Sequence, residues 1–147
     1  MPGAVITKIA SPLSRSARGF TLIELLIVLV VITLLAAVAY PNYQTYQQRT
    51  LRAQAQQMLL DLSIAQQQRL LQYGSYLFAE DAATLKDQLA LAVPAAVEQS
   101  YTLAVSQRNA SAQQFIASAT PLVSGRMSGD EILSIDEQGN RLPVGLW

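Results

Sequence analysis

The chain has 147 residues, ten Lys and Arg against ten Asp and Glu, and neither His nor Cys. Those two absences exclude disulfide frameworks, thiolate zinc sites, Cys nucleophiles and His-based acid–base catalysis. Hydrophobic residues make up 51 % of the chain, but one N-terminal run supplies much of that, and Tyr40 to Trp147 is enough for one small domain.

The zero net charge hides an uneven distribution. Residues 1–19 hold Lys8, Arg15 and Arg18 and no acid. They are rich in Ser and Ala, contain Pro2 and Pro12, show no apolar periodicity and read as a leader. From Phe20 onward seven bases face ten acids. A basic segment directly before an apolar helix predicts a cytoplasmic N-terminus and an exported head. The mildly acidic head argues against a dedicated nucleic-acid binder, which would carry a clustered basic face. Arg108 and Arg126 are too few and too scattered to make one, although a small local patch stays open.

Phe20 to Ala39 is an apolar run with a single charge, Glu24. At about 1.5 Å of rise per residue it spans about 30 Å, the thickness of a bilayer hydrocarbon core. A carboxylate there costs about 2.5–3.5 kcal/mol on insertion scales, so a use for the charge is expected. Pro41, in Tyr40-Pro41-Asn42-Tyr43, either ends the helix or kinks it. Tyr40, Tyr43 and Tyr46 suit a membrane–water boundary.

From Gln44 to Gln72 the helical pattern returns. Leu51, Ala55, Met58, Leu59, Leu62, Ala65 and Leu70 follow the spacing of one buried stripe, and a Gln-rich face with Arg49, Arg52 and Arg69 fits an exposed surface. The reading is one long helix kinked near Pro41, closed by Gly74 at C′. Asp81 to Ala92 forms a short helical or loop element stopped by Pro94. Three strand-like segments follow, at 101–105, 114–119 and 131–136, with a turn at Gln138-Gly139-Asn140. Short connections suggest an antiparallel sheet with one face on the amphipathic half-helix. The expected class is α+β, and no internal repeat is present.

Three readings compete for residues 1–40. One is a single-pass anchor whose Glu24 snorkels to the interface. Another is a secretory signal peptide with Ala37-Val38-Ala39 as its small-x-small cleavage site, against which stand the length of the run and its acid; a transit peptide is disfavoured by the membrane-length run. The third rests on resemblance. Arg18-Gly19-Phe20-Thr21-Leu22-Ile23-Glu24-Leu25-Leu26-Ile27-Val28 resembles the signature of type IV prepilins and type II secretion pseudopilins. The likeness includes Pro41 followed by Tyr43 and covers roughly residues 18–46.

That resemblance implies cleavage between Gly19 and Phe20 by a membrane prepilin peptidase and N-methylation of the new amino group on Phe20. The i,i+4 spacing then sets Glu24 near that ammonium, within or between subunits, where low dielectric strengthens the pair. Glu24 would be an assembly residue and Pro41 the helix kink. The implied architecture is a pilin fold: leader 1–19, transmembrane or filament-core helix 20–40, and head 41–147 with three or four strands. The implied partners are the prepilin peptidase/N-methyltransferase, other pilin subunits and the inner-membrane assembly machinery. The subunit would sit in the inner membrane with a periplasmic head, then in the pilus.

In the head, Tyr73-Gly74-Ser75-Tyr76 resembles the Gly-x-Tyr segment of PilE-like minor pilins. Ala119-Thr120-Pro121, Ile132 to Asp136, Gly139 and the terminal Trp147 continue the likeness. The chain departs from many relatives in lacking a Cys pair around the C-terminal loop, which typically forfeits about 2–4 kcal/mol. Packing by Leu142, Val144, Leu146 and Trp147 is expected to replace it. Asp130, Glu131, Asp136 and Glu137 do not have EF-hand spacing and read as strand ends and turns, so no metal and no cofactor is expected. No carboxylate cluster or Lys86 motif points to an enzyme. The expected function is a minor type IV pilin, with a type II secretion pseudopilin or a filament-displayed DNA-binding or adhesion pilin as alternatives.

Overall fold

A computed structural model describes residues 19–109 and 113–147. The expected leader, Gly19 excepted, lies outside the described residues. Seven elements follow in chain order: α1 (Leu22–Tyr73), α2 (Ala82–Leu89), α3 (Ala95–Glu98), β1 (Tyr101–Gln107), β2 (Phe115–Pro121), β3 (Leu133–Asp136) and β4 (Arg141–Leu142). The chain divides into two compact units, one up to Ala39 and one from Tyr40. Pro41 lies inside α1, so the helix does not end there.

In the first unit the sequence forms a helix that is apolar all round. Leu22 is 83 % exposed and Leu29 63 %, and the large side chains between them are exposed as well. A helix bathed in water buries one stripe; one with no polar face belongs in a protein core or in lipid. The helix is long and apolar enough to cross a membrane. The Thr33 hydroxyl donates to the Leu29 carbonyl at 2.7 Å, which satisfies its donor within the helix.

In the second unit α1 becomes one-sided. Ala55, Met58, Leu59 and Leu62 are buried, at the expected three- and four-residue spacing. The stripe then departs from expectation. Its last buried member is Gln66, at 0 % exposure, while Ala65 is only half-buried. The Gln66 amide donates from Nε2 to the Leu77 carbonyl at 2.7 Å and accepts from the Leu77 N–H at 2.9 Å. Pairing both ends of the amide offsets much of the cost of burying it. That pair of hydrogen bonds holds the chain where it turns back after α1. Gly74, at φ +72°, makes the turn, its N–H bonding the Leu70 carbonyl at 2.8 Å.

Asp81 starts α2, its Oδ1 accepting from the Thr84 N–H at 2.7 Å, and this bond holds the Asp81 carboxyl below its ordinary range. The element expected over 81–92 ends early, at Leu89. Pro94 does not stop it but opens the short α3.

The sheet is a four-stranded antiparallel meander in the order β1-β2-β3-β4. Two cross-strand rows face the core: Leu103–Ala119–Leu133 and Val105–Ala117–Ile135. All six side chains are buried. Ala on the central strand leaves room for the larger side chains of α1, and Leu59, Leu62, Met58, Leu85, Val97 and Phe115 complete the cluster. Tyr76 meets Phe115 edge to face at 4.8 Å. Ala79 pairs with Val105 through both backbone bonds, at 3.0 and 2.7 Å, which covers the otherwise open edge of β1. The α+β expectation of a long helix on a small antiparallel sheet holds.

The C-terminal segment is held differently from expectation. Leu146 and Trp147 do pack on the core, but Leu142 and Val144 are exposed, Val144 at 81 %. Polar contacts replace them. The Gln56 amide donates to the Leu146 carbonyl, the Trp147 indole N–H to the Leu142 carbonyl at 3.0 Å, and the Arg141 guanidinium lies over the Trp147 ring, 5.3 Å from its centroid.

Candidate functional site

The expected assembly residues sit together at the start of α1. Gly19, Phe20, Thr21 and Glu24 line one hollow of 410 Å³. The Thr21 hydroxyl accepts from the Glu24 N–H at 3.3 Å, which makes Thr21 the N-cap and satisfies one donor that the first helical turn leaves free. Thr21-Leu22-Ile23-Glu24 has the spacing of a capping box. The charge alone does not predict this second role of Glu24; the Thr-x-x-Glu spacing does. As an acid in the first turn, Glu24 also faces the positive end of the helix dipole. A Cβ at Gly19 would meet nothing within 4 Å, so the fold itself places no demand for glycine there.

A second feature lies in the head. Tyr40, Tyr43, Gln44, Gln47, Gln48 and Leu51 of α1, together with Arg126 from the β2–β3 connection, line a groove of 380 Å³. No acid lines it. Arg126 Nη1 donates to Gln47 Oε1 at 3.2 Å, across 79 residues of sequence. Arg126 and Arg49 form no ion pair among the described residues.

Two of the acids considered for a metal, Asp130 and Asp136, are engaged elsewhere. Asp130 accepts from Arg52 Nη2 at 2.5 Å, Arg52 Nε at 3.1 Å and the Tyr101 hydroxyl at 3.0 Å. Burial pushes the Asp130 carboxyl up, but the Arg52 and Tyr101 hydrogen bonds outweigh it and leave the group below its ordinary value. Arg52 is raised by the same bond; Tyr101 is raised by burial first and by its bond to Asp130. Asp136 accepts from Arg108 at 2.8 Å, the Gln138 N–H at 3.0 Å, and the Asn140 N–H and side-chain amide at 2.9 Å each. Burial opposes ionisation there too, and the Asn140 and Gln138 bonds prevail and lower it. Lys86 is paired with Glu98. Among the described residues no three His, Cys, Asp or Glu come together as a metal site would require.

Residues 41–131 match the family model described as type IV minor pilin ComP, DNA uptake sequence receptor. The chain belongs to the ComP family of type IV minor pilins. Residues 14–40 match the prokaryotic N-terminal methylation motif, and those before Gly19 lie outside the described residues. Comparison with curated protein sequences gives no match. The protein is therefore a minor pilin, a structural subunit of a type IV pilus. The ComP match stops at Glu131, so β3, β4 and the disulfide-free C-terminal segment lie beyond it. Family and motif together imply processing by a prepilin peptidase and assembly with other pilins, and the apolar helix fits inner-membrane anchoring before assembly.

Proposed function

We propose that residues 1–19 are a leader removed by cleavage between Gly19 and Phe20, and that the new amino group on Phe20 is N-methylated. Residues 20–40 then form the membrane and filament-core helix, bending at Pro41, and residues 41–147 a head on the periplasmic side. Glu24 pairs with the Phe20 ammonium of a neighbouring subunit and draws it into register. The protein is a substrate of the peptidase/N-methyltransferase and not an enzyme. The observation that carries this reading is the shared hollow of Gly19, Phe20, Thr21 and Glu24 at the head of a membrane-length helix. The open surroundings of Gly19 support it, because a glycine the fold does not require is one a processing partner can select. Mass spectrometry of the mature protein should find a methylated N-terminal Phe20. A start at Tyr40, or an intact leader, would overturn the reading.

A second reading is favoured by the match of the head to a DNA uptake sequence receptor. On this reading the filament displays the head for DNA capture, with Arg49 and Arg126 available for phosphates because neither forms an ion pair among the described residues. The net acidity of the head weighs against strong binding. A gel-shift of the protein with double-stranded DNA should then show retardation that weakens steeply as salt rises. Absent or salt-insensitive binding would remove this reading.

A further inference from the structure

The groove of Tyr40, Tyr43, Gln44, Gln47, Gln48, Leu51 and Arg126 is not used by the assembly chemistry at Phe20 and Glu24. Its position in the chain gives it a setting. Tyr40 directly follows the last residue of the apolar run, so the groove's first residue stands where the hydrocarbon-length run ends, a position that suits Tyr side chains. Its lining then gives it a chemistry. Two phenols and three carboxamides supply hydrogen-bond donors, and Arg126 supplies a guanidinium. Gln47 occupies one side of that guanidinium, and a planar fork of five donors retains others for a second partner. The acid nearest to Arg126 along the chain, Asp130, is already engaged by Arg52 and Tyr101, no acid lines the groove, and α1 has none between Glu24 and Asp61. A 380 Å³ hollow is also of the size that small-ligand sites occupy.

We infer that this groove binds the phosphate of an anionic phospholipid headgroup while the subunit waits in the membrane. The inference rests on the reading of residues 20–40 as a membrane span. Arg126 meets the phosphate oxygens, Gln44 and Gln48 donate alongside it, and Tyr40 and Tyr43 lie against the glycerol region. Lipid held there ties the β2–β3 connection to the membrane surface. It must leave when the subunit moves into a filament, so the site would distinguish the stored form from the assembled one.

The test reconstitutes the full chain into vesicles of equal phosphatidylcholine and phosphatidylglycerol, extracts it in mild detergent and counts the lipids retained by native mass spectrometry. Phosphatidylglycerol is expected to be enriched about fivefold, the preference that one basic residue at a membrane surface confers. Arg126→Gln should abolish the enrichment. Arg49→Gln, on α1 but outside the groove, should keep it, and near-ultraviolet circular dichroism should show both variants folded. Equal enrichment in the wild type and Arg126→Gln would overturn the inference, as would equal loss in Arg49→Gln, which would mean diffuse charge attraction. Displacement of the lipid by a short DNA duplex that binds wild type but not Arg126→Gln would reassign the groove to nucleic acid. Failure of the chain to enter vesicles at all would remove the membrane reading beneath it.

Discussion

Glu24→Val is expected to leave membrane insertion and leader removal intact while reducing incorporation into filaments at least about tenfold, the equivalent of about 1.4 kcal/mol. The two halves of that outcome have opposite physical origins. Removing the carboxylate relieves the cost of about 2.5–3.5 kcal/mol that the charge imposes on a lipid-embedded helix, so insertion can only become easier. On the proposed pairing, assembly loses the partner of the Phe20 ammonium in a medium of low dielectric, where an uncompensated charge is costly. Glu24→Gln separates the charge from the helix start. Gln serves at the third position of a capping box as Glu does, so this variant keeps the local geometry with Thr21 and lacks only the charge. It should fail as Glu24→Val does. Incorporation of Glu24→Gln at wild-type levels, scored by immunoblot of sheared filaments, would assign Glu24 to helix capping and leave the assembly reading without its central residue.

The parts of this protein that were legible in sequence are those fixed by local period. The membrane-length run, the stripe through Ala55, Met58, Leu59 and Leu62, the glycine closing α1 and the alternating strands all announce themselves within a few residues. The misread positions depend on what arrives from far along the chain. Gln66 takes a core position because the loop carrying Leu77 brings both of its backbone groups to one amide. Periodicity alone prefers Ala65, and nothing near residue 66 announces that loop. Asp130 looked like a solvated strand end, yet its partners are 78 and 29 residues away. Arg126 looked isolated because the groove that gives it company is built from α1, 79 residues earlier. Thr21 is the contrary case: its capping spacing with Glu24 is local and readable, beside the charge that Glu24 also carries.

Asp130→Ala is expected to lower the stability of the head by about 3 kcal/mol, because it strips the acceptor from two side chains at once. Tyr101 is 2 % exposed, so its hydroxyl has little access to water as a substitute. Arg52 keeps a side-chain exposure of 25 % and recovers part of its solvation, which keeps the loss below that of a fully buried pair. For a domain of this size the change lowers the melting temperature by about 10 °C, measurable by near-ultraviolet circular dichroism of the detergent-solubilised chain. The contribution has a defined pH dependence. Asp130 is held below its ordinary value in the folded state, so its stabilisation is fully present above the unfolded pKa of about 3.9 and is lost as pH falls through the folded value. Asp136 is shifted the same way, so the wild type should lose stability below about pH 4 and Asp130→Asn should show a shallower fall. The magnitude matters for the missing disulfide, since a cross-link in this part of the chain would be worth about 2–4 kcal/mol. Asp130 joins α1, β1 and the β2–β3 connection through Arg52 and Tyr101, which is a restraint of comparable size made without sulfur. A melting temperature for Asp130→Ala within about 2 °C of wild type, less than 1 kcal/mol by the same scaling, would leave that restraint to the packing of Leu146 and Trp147.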